Sequence, residues 1–184
     1  MAFYNEMLAG FWHILKAPFV DLSALWLLAP LIIMWAVLEL YFDLHKNEEL
    51  GWNTALGNGI SMFWISVNIM RYLFTENMEK FTWPRMVIIS LLLLYSFFIA
   101  YISFSHKLSP KLTFKLASPT PVYYFSGIVI LWAFGALKLS LWIIIDIIII
   151  FGLLLLLVAL LRKVLPERGD DEGLEESSSP EEIS

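Results

Sequence analysis

Residues 141 to 163 read LWIIIDIIIIFGLLLLLVALLRK, and in the first twenty-one of them only Asp146 is ionisable. A bilayer's hydrocarbon core is crossed by about 20 apolar residues of helix, so this run is long enough to span. It has company. Residues 24 to 43 (ALWLLAPLIIMWAVLELYFD), 86 to 105 (MVIISLLLLYSFFIAYISFS) and 121 to 138 form comparable runs, and the more polar 54 to 74 (TALGNGISMFWISVNIMRYLF) makes a fifth. A chain of 184 residues with 59% apolar content and mean hydropathy +0.74 has no soluble core able to hide such segments. The expected fold is therefore all-α: a polytopic membrane bundle of about five transmembrane helices, filling residues 23 to 166.

The flanks differ from this body. In residues 1 to 22, Phe3, Tyr4, Met7, Leu8, Phe11, Trp12, Ile14 and Leu15 share one face at 100° per residue, opposite Asn5, Glu6, His13 and Lys16. That pattern suits an amphipathic helix lying in the headgroup plane. It lacks the leading basic residues and small-residue cleavage site of a secretory signal, so it reads as mature structure. Residues 167 to 184 carry eight acids and one base. With almost nothing apolar to bury, this tail is expected to be disordered. Its net charge of about -7 against -5 for the whole chain leaves the body slightly basic, as befits contact with anionic headgroups.

Several chemistries are excluded early. There is no cysteine, which removes disulfides, thiolate metal sites and cysteine nucleophiles. His13, His45 and His106 stand far apart, without zinc or haem spacing. No phosphate-binding loop, nucleophile elbow or other catalytic spacing occurs, so the expectation is a non-enzyme that needs no cofactor or metal and binds no nucleic acid. No internal repeat is visible, which weakens an inverted-repeat transporter reading.

The polar residues inside the runs carry whatever function there is. Glu39 and Asp43 stack four apart at the end of the first span, with Lys46 three further on and Glu48 and Glu49 beyond. They form either a wet corner neutralised by Lys46 or an entry site for a cation or proton, with Glu39 deepest. In the second span Thr54, Asn58, Ser61 and Asn68 fall in a narrow arc with Arg71 beside it, serving as interhelical hydrogen-bonding groups or as a polar path. The small pairs Ala55 with Gly59 and Gly57 with Ser61 allow close approach of another helix. Asp146, flanked by isoleucines, must be paired with Lys138 across the hairpin corner, protonated, or clamped to a partner subunit's basic residue. Spans four and five are expected to be antiparallel neighbours.

Charge suggests an orientation. Lys16, Arg71, Lys80, Arg85 and Lys138 fall on one side, and Lys46, Lys107, Lys111, Lys115, Arg162, Lys163 and Arg168 on the other. The positive-inside tendency then puts the acidic tail in the cytoplasm and the amino terminus outside, in a multi-pass protein of the cell membrane. In the loop HKLSPKLTFKLASPTP, Ser109 and Pro110 suit the start of a short helix carrying Lys111 and Lys115. With Lys107 these lysines either snorkel at the interface or contact anionic lipid. The expected partners are the bilayer and other membrane subunits or further copies of the chain. Two functions are expected in competition: an accessory or scaffolding component, and a small oligomeric cation- or proton-coupled transporter or channel using Glu39, Asp43, Asn58, Asn68, Arg71 and Asp146.

Overall fold

The computed structural model describes residues 2–45 and 51–164, which fold without strands. Helix α1 spans Ala2–Lys16 and is followed by a 3-10 turn at Ala17–Phe19; α2 spans Leu22–Leu44, α3 Trp52–Thr75 and α4 Trp83–Ser105. A short α5 (Pro110–Leu116), then α6 (Pro119–Ala133) and α7 (Leu141–Val164) complete the bundle.

The boundaries follow from local chemistry. Asp21 opens α2 by accepting a hydrogen bond from the Ser23 amide at 2.9 Å, a standard N-cap arrangement. Prolines stand in the first turn of α4, α5 and α6, where a missing amide proton is harmless. The fourth expected span, 121 to 138, forms a helix earlier than expected, at Pro119, and stops at Ala133. There Gly135 turns the chain with φ +78°, a conformation that favours glycine. His106 ends α4 with φ +52°, its ring against Trp52 at 4.1 Å between centroids.

Four stretches are long and apolar enough to cross a membrane: Leu22–Leu44, Trp83–Ser105, Pro110–Ala133 and Leu141–Val164. Helix α3 is as long as α7 but falls short of them in hydropathy. It nevertheless runs between the same two ends of the bundle. Its last turn meets the start of α2 through Tyr72 and Asp21, and its first turn meets the end of α4 through Trp52 and His106. Large apolar side chains cover the outside, including Trp26 and Phe104, both 80% exposed. A monomeric protein in water does not sustain so continuous an apolar exterior. The chain is an all-α membrane bundle.

Packing within the bundle is uneven. Helix α3 lies closely along α4, because Gly59 brings the two backbones together: a Cβ there would stand 2.9 Å from the Ala100 amide nitrogen and 3.2 Å from the Ser96 carbonyl oxygen. Helix α6 packs against α2, α3 and α4 and forms the middle of the molecule, with Val122, Tyr123, Ile130 and Leu131 in the core. Helix α1 packs along α7 and contributes Ile14 to that core. The antiparallel α6 and α7 touch at Tyr124, whose hydroxyl donates to the Ile147 carbonyl at 2.7 Å and whose ring lies 5.2 Å from that of Phe151. Away from this bridge, an apolar cleft lies between α7 and the α2/α6 pair.

Candidate functional site: two polar clusters that lock the helix ends

At the carboxyl-terminal end of α2, Glu39 and Asp43 share one face because they are one helical turn apart. That face turns inward: Asp43 is 1% and Glu39 7% exposed. Their counter-charge is Arg162, from the last turn of α7. Its Nε donates to Asp43 Oδ1 at 2.8 Å and its Nη2 lies 3.5 Å from Glu39 Oε2. From α6, Thr120 donates its hydroxyl to Glu39 Oε1 and accepts a hydrogen bond from Trp35 Nε1 at 3.2 Å. Indole, hydroxyl, carboxylate, guanidinium and second carboxylate thus form one chain of contacts that ties α2, α6 and α7 together. Expectation put Lys46 beside these acids and water around them. Lys46, Glu48 and Glu49 lie outside the described residues, and the partner that is seen comes from 119 residues along the chain. The acids are buried because three helix ends converge on them.

A second inward set lies beside this cluster. Asn58 of α3 donates to the Ala117 carbonyl at 2.7 Å and accepts from the Tyr123 hydroxyl at 2.8 Å, so it joins α3 to the α5–α6 junction. Nearby, the Tyr95 hydroxyl donates to the Leu116 carbonyl at 2.9 Å. The backbone break between α5 and α6 would leave carbonyls unsatisfied in the bundle, and these side chains supply the missing donors.

The opposite end is closed by Asp21 and Lys80. Lys80 donates to the Phe134 carbonyl at 2.8 Å and to the Tyr72 hydroxyl at 3.3 Å, and stands 3.8 Å from Asp21, to which Tyr72 also donates at 3.4 Å. The Tyr72 ring stacks on Phe134 with centroids 3.8 Å apart. Arg85 donates to the Lys80 carbonyl at 2.5 Å and covers Trp132.

Ser61 joins the Asn58 set through a side-chain hydrogen bond with Tyr123, and the other expected residues do not converge on either cluster. Asn68, half-buried, returns its amide to the Trp64 carbonyl one turn back at 2.8 Å, a bond within its own helix. With Ser61 it borders a groove between α2 and α3 that is walled by Trp26, Pro30, Met34 and Trp64. Arg71 is exposed. It lies thirteen residues from Asn58, about 140° around the helix, so the two cannot share one face. Of the small pairs, Ala55 and Gly59 face inward, with Gly59 meeting α4, whereas Gly57 has nothing within 4 Å of an added Cβ.

Asp146 is 2% exposed and faces Gly10 of α1, so closely that a Cβ on Gly10 would collide with its carboxyl group. Its Oδ2 has no hydrogen-bond partner among the described residues. Lys138, the cross-corner partner weighed from sequence, is exposed. Lys107 donates to the Tyr101 hydroxyl at 2.5 Å, which with the attendant electrostatic attraction pushes its ammonium group above the usual lysine range. Lys111 and Lys115 are exposed on α5, at the same end as Arg162 and Lys163.

Sequence reasoning passed over Thr120, Tyr123 and Trp35, read Asp21 only as punctuation before the first span, and weighed Arg162 and Lys80 only as charges. A signal existed for two of them: Thr120 and Tyr123, three apart at the start of a span, put two hydroxyls on one face of a largely apolar helix. Among the described residues no group of three His, Asp or Glu side chains is placed to hold a metal ion. Glu39, Asp43 and the donors around them fasten helices to one another rather than converge on a vacant space. Fold and clusters together define a small helical membrane bundle locked by polar contacts at both ends, around buried carboxylates at one and a half-buried ion pair at the other. No protein-family model, curated protein or solved structure matches the chain.

Proposed function

We propose that the protein is a non-catalytic accessory or scaffolding component of a membrane assembly, which packs the outward face of α3 against a helix of a partner subunit or of a second copy. The observation that carries this reading is the composition of that face. Gly57, Ile60, Trp64, Val67, Arg71 and Phe74 recur at helical spacing and are all exposed, on the long helix that is less apolar than the four candidate spans. Lipid is a poor match for a strip holding a glycine notch and an arginine, whereas a neighbouring helix with a carboxylate fits both. The rival reading, a small oligomeric cation- or proton-coupled transporter or channel, has its six residues lining a shared path. Glu39 and Asp43 are bound to Arg162, Asn58 points into the core, Arg71 points out, and Asp146 lies under α1.

In this reading the protein is a multi-pass protein of the cell membrane. The end bearing Lys107, Lys111, Lys115, Arg162 and Lys163, which Lys46 and Arg168 adjoin in sequence, faces the cytoplasm, and the three loop lysines contact anionic headgroups.

The test is native mass spectrometry of the affinity-purified protein in mild detergent, wild type beside Arg71→Leu and Gly57→Leu. A stoichiometric partner or second copy that both substitutions release, with liposome flux at background for all three proteins, is the expected result. A protein that stays monomeric and carries cations or protons into liposomes, and stops doing so as Asp146→Asn, sinks the scaffold in favour of a transporter.

A further inference from the structure

The cleft between α7 and the α2/α6 pair has a form that helix packing alone does not require. Its volume is about 350 Å³, within the range of small-ligand cavities. It is walled by Leu28 and Leu31 of α2, Gly127 of α6, Ile150 and Leu154 of α7 and Ile14 of α1. The polar atoms at one end are already engaged: Trp35 with Thr120, Thr120 with Glu39, and Tyr123 with Asn58. What remains for an occupant is apolar surface. At about 30 Å³ for a group the size of a water or methylene, there is room for about a dozen methylenes.

The α7 wall of the cleft is anchored toward both of its ends. Near the start of α7, Tyr124 bridges to Ile147 and Asp146 is seated against Gly10 of α1, and Arg162 fixes the far end. Gly127 widens it, since a Cβ there would sit 3.4 Å from Leu28 Cδ2. Ile32 and Leu15 line it and are 48% and 44% exposed, so it opens toward the acyl region of the bilayer.

Continuing along α7 from Leu154 by one turn at a time, the same face reaches the buried Val158 and then Arg162, about 12 Å further on. The Arg162 side chain uses Nε and Nη2 on the two acids and is still 58% exposed; Lys163 beside it is exposed as well. The exposed part of the Arg162 guanidinium, with Lys163 next in sequence, therefore lies at the end of the α7 face that lines the cleft, the level for a lipid phosphate whose acyl chain fills it.

We propose that this cleft binds one acyl chain of an anionic glycerophospholipid, whose phosphate is held by Arg162 and Lys163. The site is independent of the outward face of α3 and would exist whether or not that face meets a partner.

The experiment is native mass spectrometry of the full chain titrated with phosphatidylglycerol or with phosphatidylcholine of identical acyl chains. One lipid is retained by the wild type, with phosphatidylglycerol preferred by about fivefold or more, the effect of one surface basic residue. Gly127→Leu and Ile150→Trp fill the cleft from opposite walls and reduce that first binding event by about tenfold or more, the worth of a lost buried apolar contact. Gly152→Leu, on an open face of α7 with nothing within 4 Å, leaves it unchanged. Lys163→Gln lowers the preference for phosphatidylglycerol without abolishing retention. Should Gly127→Leu fail to fold, Ile150→Trp carries the same comparison from the other wall. Retention that ignores both filling substitutions, or an equal affinity for the two headgroups, overturns the proposal, as does a wild type that retains no lipid.

Discussion

Replacing Arg162 by alanine probes the contact on which the α7 end depends. It removes a 2.8 Å hydrogen bond to Asp43 and the weaker 3.5 Å contact to Glu39, and strands two carboxylates that are 1% and 7% exposed. Breaking a fully buried ion pair from one side costs about 3–5 kcal/mol. The Arg162 side chain is 58% exposed, so water and headgroups already screen part of the attraction, which brings the expected loss to about 2–3 kcal/mol. That is roughly a 30- to 150-fold shift in the folding equilibrium, or about 4–12 °C in Tm for a chain of this size. Thermal unfolding in mild detergent, followed by circular dichroism, measures it. The sharper readout is the double variant. Most of the loss comes from an unmatched buried charge, so Arg162→Ala with Asp43→Asn should be more stable than Arg162→Ala alone. If Arg162→Ala lies within about 0.5 kcal/mol of wild type, or if the double variant shows the sum of the two single losses, the polar cluster is not what holds α7.

Two glycines on one face or another of α3 give opposite outcomes in the same assay. Gly59→Ala forces α3 from α4 and should cost about 1–3 kcal/mol, because the new Cβ meets backbone, whereas Gly57→Ala meets nothing and should be neutral or stabilising by up to about 1 kcal/mol through helix propensity. Gly10→Ala drives a methyl group into the Asp146 carboxyl; it should lower Tm and open α1 to limited proteolysis, and Asp146→Ala in the same chain should restore both. Asn58→Leu removes the donor to the buried Ala117 carbonyl and the acceptor of the Tyr123 hydroxyl and should destabilise by about 1–3 kcal/mol, while Asn68→Leu, which loses only a bond to its own helix, should change stability by less than about 0.5 kcal/mol.

Much of the bundle was legible residue by residue. Span ends near 43, 74, 105 and 163 fall within two residues of the observed ends of α2, α3, α4 and α7, since each is set by where the apolar run meets a charge or a cap. The fourth span was misjudged at its end because Phe134 and Leu137 are apolar and hydropathy continues past Ala133. What stops the helix is Gly135, with Lys80 taking the Phe134 carbonyl, a donor 54 residues away. The candidate site was legible only by residue type. That Glu39, Asp43 and Asp146 needed neighbours follows from their surroundings in the sequence; that the neighbours are an arginine of α7 for two of them and a glycine of α1 for the third does not.

The sequence by itself determined that this chain is a set of lipid-covered helices, and where all but the fourth span end, because in hydrocarbon every backbone amide must be satisfied within its own helix and that requirement is local. Only the tertiary structure decided which helices meet. Leucine and isoleucine gain little by exchanging a lipid tail for another helix, so the greasy faces leave the choice of neighbour open, and it is made by sparse contacts between residues far apart in the chain. Glu39 with Arg162, Asn58 with Tyr123, Lys80 with the Phe134 carbonyl and Gly10 with Asp146 are those contacts.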